Sequence, residues 1–330
     1  MKLKGKMFKY PKEVNEITIK NGKGIIHTHD NGNGYIYAVK VDDDEEMSFT
    51  LNKRDFKQLS KFEEFSVKMK NETIKIQYGS VKLTLANLIE HEISNPNFSD
   101  LEDVNIEYEE LFIAKNFIGT SDTHIQVLGT TIHKDCVTSS NEVVFYKKEI
   151  NTGVSLSINI PKETFRNVPF IEGIKIQSNG KLARFFFEGV YYYTSLISVC
   201  LPGEAANRFV DATEIVKIDI KSVKALLEKL NLIKTYDDYV DFNFDKNKLM
   251  LSGISEIEKV EINDLEDKVN ENYEGRYTYN IEHLKTLLSV IKDDKVTIKI
   301  MEKGILLLDI KEMCMLLPYT RTNMTEKEKK

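Results

Sequence analysis

One pattern recurs three times in this chain, and it restricts the fold more than any other feature. Its last copy spans 277–319, YTYNIEHLKTLLSVIKDDKVTIKIMEKGILLLDIKEMCMLLPY. Ile281, Leu284, Leu287, Leu288 and Ile291 recur at helical spacing, with Glu282, Lys285 and Lys292 off the apolar stripe. After Asp293 and Asp294 the period becomes two: Val296, Ile298 and Ile300 alternate with Thr297, Lys299 and Met301. Gly304 punctuates, and 305–310 and 313–317 read as two more strands. The unit is a short strand, a helix and a three-stranded meander. The same order appears at 157–196 (SINIPKETFRNVPF, then IKIQSNGKLARFFFEGVYYYTSL) and at 48–85 (SFTLNKRDFKQLSKF, then FSVKMKNETIKIQYGSVKLTL). The helix anchors Phe56, Phe165 and Leu284 lie 109 and 119 residues apart. That period is a whole domain rather than a solenoid unit of about 20–50 residues.

The 330 residues divide accordingly into 1–102, 103–212 and 213–323, with a tail at 324–330. The second and third domains each read as strand–helix–three strands, said twice. In the second, EELFIAKNFI at 109–118 is the opening helix. In the third, Ile220, Val223, Leu226, Leu227 and Leu230 mark it. The first domain departs from this: nothing before Ile17 reads as an opening helix, and 1–14 fits a strand, a single turn or a tail. The fold class is α+β, with antiparallel sheets and the helices segregated to one side.

Composition narrows the function classes. At 41% hydrophobic, the chain can bury real cores. No apolar run approaches the roughly 20 residues that span a bilayer. The start, MKLKGKMFKYPK, is basic without an apolar h-region. A soluble cytoplasmic protein with no membrane partner is expected. Cys136, Cys200 and Cys314 are odd in number and lack metal spacing, so they read as reduced core or strand residues. Net charge is −6, which argues against a generic nucleic-acid binder but allows basic residues concentrated on one surface. No P-loop, nucleophile elbow, zincin or dinucleotide fingerprint occurs. His27 and His29 form an H-x-H, but it precedes an Asn-Gly-Asn-Gly turn in a short meander, so no metal is assigned. The acidic run 42–46 reads as a solvated loop, and Tyr191, Tyr192 and Tyr193 as strand packing. No cofactor and no catalytic activity are expected.

Three domains of paired helix-plus-strands halves resemble the bacterial-type sliding clamp, the β subunit of DNA polymerase III. SLSINIPKETFRNV at 155–168 looks like that family's strand-then-Pro-Lys entry to a helix, and YYYTSLISVCLPG at 191–203 like its TSKL…FPD stretch. RYTYNIEHLKTLLSVI at 276–291 resembles its FN…YL…AL helix, and Met315-Leu316-Leu317-Pro318-Tyr319 its C-terminal VVMPMR. The resemblance implies a processivity factor: a head-to-tail homodimer closing a ring around duplex DNA, with DNA polymerase and a clamp loader as partners. Closure would join an edge strand near 80–85 to one near 259–263, removing edges that invite aggregation. The alternatives are a non-enzymatic adaptor of three tandem β-rich domains, or a monomeric clamp-like DNA-binding accessory factor.

A ring around DNA requires basic helices in an acidic chain. Over 52–62, 109–118, 161–169, 219–233 and 281–292 the residues Lys53, Arg54, Lys57, Lys61, Lys115, Lys162, Arg166, Lys221, Lys224, Lys229, Lys285 and Lys292 outnumber seven acidic ones. These twelve are the expected DNA-facing residues; helix surfaces favour lysine in any case, so the bias alone is not decisive. The resemblance also implies a partner-peptide groove formed by Val127, Val144, Pro202, Met315, Leu316, Leu317 and Pro318, with Tyr319 at its rim. Read by themselves, 315–317 simply finish an edge strand that Pro318 ends. The family's Asp-Gly-x-Arg-Leu segment is replaced here by Ser140-Asn141-Glu142-Val143-Val144, and its final Met-Arg by Tyr319-Thr320. The groove is therefore expected to prefer a different peptide.

Overall fold

The computed structural model describes residues 1–30, 32–70, 72–87, 96–120, 124–206, 213–246, 248–253, 261–262, 268–269, 273–310 and 313–317. The first repeat holds β1 (Lys2–Lys4), a 3-10 turn (Gly5–Met7), β2 (Val14–Lys20), β3 (Lys23–Asp30), β4 (Asn33–Lys40), β5 (Met47–Asn52), α1 (Lys53–Leu59), β6 (Glu64–Lys70), β7 (Thr73–Tyr78) and β8 (Val81–Ala86). The second holds β9 (Glu102–Asp103), α2 (Tyr108–Ala114), 3-10 turns at Lys115–Phe117 and Ile125–Val127, β10 (Gly129–Ile132), β11 (Cys136–Ser140), β12 (Phe145–Glu149), β13 (Ile158–Pro161), α3 (Thr164–Asn167), β14 (Lys175–Ser178), β15 (Leu182–Phe187) and β16 (Val190–Ser195). The third holds β17 (Glu214–Ile220), α4 (Val223–Lys234), β18 (Tyr239–Lys246), β19 (Lys248–Gly253), β20 (Glu261–Ile262), β21 (Lys268–Val269), β22 (Tyr273–Asn280), α5 (Ile281–Ser289), β23 (Val296–Met301), β24 (Ile305–Ile310) and β25 (Met313–Leu317).

The chain forms two compact units, 1–108 with 163–196 and 109–162 with 197–330. The first contains the sheets β1-β6-β7-β8 and β5-β2-β3-β4-β16-β15-β14-β9. The second contains β13-β10-β11-β12-β25-β24-β23-β17-β21 and β20-β19-β18-β22. All pairings among the described strands are antiparallel. Each long sheet merges strands of neighbouring repeats: β16 pairs with β4, placing Tyr191 opposite Ile36, and β12 with β25, placing Phe145 opposite Leu316. Positions 102 and 212 are therefore not sheet boundaries. The class is α+β, as the periodicities indicate.

The repeat signature has a local cause. α1 starts at Asn52, whose Oδ1 accepts from the Asp55 amide at 2.8 Å, and α5 at Asn280, whose Oδ1 accepts from His283 at 3.2 Å. A strand ending in Asn thus becomes the cap of the next helix, a device worth about 1 kcal/mol. Ser222 caps α4 likewise, its Oγ accepting from Ala225 at 3.3 Å. α4 buries Val223, Leu226, Leu230 and Ile233, and α5 buries Ile281, Leu284, Leu287 and Leu288. Three boundaries differ from expectation. Ile220 ends β17 instead of joining the helix, and α2 gives way to a 3-10 turn after Ala114. The 161–169 helix shrinks to the single turn of α3, because Pro161 still belongs to β13.

The first repeat has no opening helix. A strap of β1, the 3-10 turn and an irregular run up to Glu13 takes its place. Gly5 packs so tightly that a Cβ there would meet the carbonyl oxygens of Phe62 at 1.9 Å and Leu59 at 2.8 Å. Phe8 is buried, with its ring 5.1 Å from that of Phe56 and 5.6 Å from Phe65. Tyr10, at φ 55°, stacks on Tyr35 at 4.4 Å, and Glu13 pairs with Lys53 at 2.9 Å. The strap therefore runs from the C-terminal end of α1 to its N-terminal end.

Other sequence features find their places too. The acidic run is not merely solvated: Asp42 pairs with Lys4 at 3.3 Å and Glu46 with Lys20 at 3.7 Å. Tyr192 and Tyr193 are buried and Tyr191 is exposed. The His27 Nε2 is 2.7 Å from the Tyr193 hydroxyl, and burial, helped by His29, lowers its pKa to about 4. Among the described residues no cluster of three metal-ligating side chains includes this pair. Cys136 is buried in β11 with its thiol pushed up to about 11, and Cys200 is half-buried. No helix among the described residues is long and apolar enough to cross a membrane.

Candidate functional site

Two surfaces collect the predicted residues. The first is the outer face of α1. Phe56 and Leu59 turn inward, which leaves Lys53, Arg54, Lys57 and Lys61 exposed around an open depression also lined by Glu13 and Phe62. Glu13 engages Lys53; Arg54, Lys57 and Lys61 have no ion-pair partner among the described residues. Uncompensated cations on one helical face create a field suited to phosphate, without geometry for reading bases.

The other cationic candidates are unequal. Lys292 pairs with Glu109 at 2.5 Å, and Lys285 with Glu282 at 3.3 Å. The Lys162 ammonium donates to the Ile118 carbonyl at 3.2 Å, so part of its donor capacity holds backbone. Lys115 lies over the Phe112 ring, and burial lowers its pKa. Arg166 and Lys224 are exposed with no ion pair among the described residues. Lys221 precedes α4 and Lys229 lies on it, half-buried. Raw charge counts therefore overstate what several of these helices can offer a ligand. α1 keeps the densest free charge.

The second surface belongs to the unit of 109–162 and 197–330. The Gly119 amide donates to the carbonyls of both Val127 (2.8 Å) and Ser140 (3.1 Å), tying the 125–127 turn to the end of β11. A Cβ at Gly119 would sit 2.7 Å from the Val127 side chain, so glycine permits this approach. The 141–144 turn closes on itself: the Asn141 Oδ1 accepts from the amides of Val143 (3.1 Å) and Val144 (2.7 Å), and Glu142 takes φ 75°. The Asn159 Nδ2 donates to the carbonyls of Gln126 (3.1 Å) and Val199 (2.7 Å), while Leu201 is held by the Thr131 Oγ1 and by His133. Burial lowers the His133 pKa, so the ring is neutral near pH 7.

These links hold Val127 near the Ser140 end of β11 and fix Leu201 next to Pro202, while β25 pairs with β12 beyond Val144. Val127, Val144 and Leu317 are buried, and Pro202 is exposed. Met315 and Leu316 lie in β25, opposite Tyr146 and Phe145. Pro318 and Tyr319 lie outside the described residues. What the sequence reading missed is the rim. Ile125 (49% exposed), Val143 (41%) and Val199 (45%) are large apolar side chains presented to solvent on these same segments. Water-exposed aliphatics concentrated on one rim mark a surface that gains by being covered. Their signal was apolar residues placed inside turn-rich stretches.

Repeated helix-plus-meander halves, sheets continued from one repeat into the next and this junction at β25 together define the beta-clamp fold. No family model and no curated protein matches the chain at the level of sequence. Solved structures do match. The Helicobacter pylori beta clamp bound to a DNA ligase peptide aligns with a TM-score of 0.80 at 14% identity, over 94% of this chain and 92% of that one. DNA polymerase III subunit beta of Pseudomonas aeruginosa aligns at 0.80 and 10% identity, over 98% and 100%. The subunit from Borrelia burgdorferi aligns at 0.74 and 17%, over 94% and 91%. The chain therefore has the fold of the bacterial beta clamp over nearly its whole length.

Proposed function

We propose that this chain is a DNA sliding clamp: a non-enzymatic processivity factor that encircles duplex DNA as a homodimer and tethers the replicative polymerase in the cytoplasm. The observation that carries the reading is the whole-length fold match, since a closed ring needs every repeat and none is missing. Two outermost strands add to it. Among the described residues β8 ends the sheet β1-β6-β7-β8, and β20 ends β20-β19-β18-β22. β8 presents Val81 to solvent at 47% exposure and leaves Leu83 and Leu85 half-buried. An apolar strand edge of this kind is a liability unless paired, and pairing β8 of one protomer with β20 of its partner would close the ring head to tail.

Cations on α1 would then touch phosphates without reading bases, so topology rather than affinity would hold the protein on DNA. The three repeats would span 1–102, 103–212 and 213–323. The apolar rim of Ile125, Val143 and Val199, with Val127, Val144, Pro202 and 315–319, would take a short apolar peptide from the polymerase or a clamp loader. Sedimentation tests the assembly: the reading expects twice the 38.1 kDa chain mass. A monomer at micromolar concentration would leave only a face-on DNA-binding accessory factor.

A further inference from the structure

The strap that replaces the first helix carries its own charge. Within it Gly5, Met7 and Phe8 are buried, whereas Lys6 and Lys9 are exposed and have no ion-pair partner among the described residues. Gly5 sits against the carbonyls of Leu59 and Phe62, and Glu13 reaches Lys53, so Lys6 and Lys9 are carried along the length of α1. That helix exposes Arg54 and Lys57, and the turn after it exposes Lys61. Lys12 continues the row near Lys53. Its Nζ donates to the Asn33 Oδ1 at 2.7 Å, and burial lowers its pKa, with Asp30 and Glu163 opposing and Lys53 adding to the effect. Two rows of cations, one on the strap and one on α1 and the turn after it, therefore lie along each other within one compact unit.

We propose that the strap is a second phosphate-binding row, in which Lys6 and Lys9 contact the backbone of duplex DNA beside α1. The inference rests on the sliding-clamp reading and extends it to residues outside any helix. Lysine ammoniums on flexible stems act as point charges, which suits sequence-independent contact. An anionic membrane is the less favoured ligand. Surface-bound segments insert apolar side chains, and here Leu3, Met7 and Phe8 are buried in the protein.

The test measures binding of the full chain to a labelled linear duplex across a salt series. Wild type is compared with K6Q/K9Q and R54Q/K57Q, and anionic vesicles serve as a second probe. All four substituted side chains are exposed, so unchanged thermal unfolding is expected. Losing two phosphate contacts should lower the slope of log K against log salt by about 1.8 for K6Q/K9Q, equally on unrelated sequences. A wild-type slope for K6Q/K9Q beside a reduced slope for R54Q/K57Q overturns the strap's role and leaves the clamp reading intact. Duplex binding by wild type that does not depend on salt overturns that reading itself. Vesicle binding lost in K6Q/K9Q, with duplex binding unchanged, would instead assign the strap to membranes.

Discussion

In the third repeat α4 packs on β18, β19 and α5, and two apolar stripes meet: Val223, Leu226, Leu230 and Ile233 from one helix, Ile281, Leu284, Leu287 and Leu288 from the other. In the first repeat the strap packs on α1 instead. Phe8 of the strap lies against Phe56 of α1 and Phe65 of β6. One aromatic side chain then stands in for a stripe of aliphatic ones. This position in the fold is filled by a buried apolar anchor and does not require an α-helix.

The largest effect should come from removing the anchor. Phe8→Ala is expected to destabilise the protein by about 3–5 kcal/mol in denaturant unfolding, comparable to about 2–5 for Leu226→Ala in α4. A loss below about 1 kcal/mol at Phe8 alone would break the comparison, because the strap would then be draped on α1 rather than packed into it. Acid should come next. His27 is neutral when folded, with its pKa near 4, and titrates near 6.5 when unfolded. The unfolded state binds the extra proton between those values, so stability is fully present above pH 6.5 and falls as pH drops toward 4. Between pH 7 and 5 the expected loss is roughly 2 kcal/mol, and His27→Gln should flatten it. An unchanged slope in that variant would remove His27 as the cause. The smallest effect tests the shared element. Asn52→Ala and Asn280→Ala should each cost about 1 kcal/mol, since both cap a helix in the same way. A large difference would show that the two repeats do not use the cap alike.

These regions were not equally legible in the sequence. α4 and α5 were readable because long amphipathic stripes have one explanation, and Asn52 and Asn280 sit at matched positions of the repeat. α3 was overread: a single apolar anchor, Phe165, fits one turn as well as three. The joining of β16 to β4 and of β12 to β25 could not be read, because a period of two identifies a strand without naming its neighbour. The strap is not legible because Leu3, Met7 and Phe8 follow no single period. Its lysines went unassigned because charge alone says nothing about which element they flank. For the groove, Val127 and Val144 came from resemblance and prove buried, whereas the exposed rim of Ile125, Val143 and Val199 depends on tertiary placement. The count of twelve cations likewise missed that Lys53, Lys285 and Lys292 are paired.

Encirclement of DNA is the central claim, and retention on circles tests it most directly. Protein dissociated by dilution and reconcentrated with nicked circular duplex would be passed through gel filtration at salt high enough to release it from linear DNA. A closed ring stays with the circle and is lost once a single restriction cut opens it. Equal retention on circular and linear DNA, or none on the circle, would contradict the account.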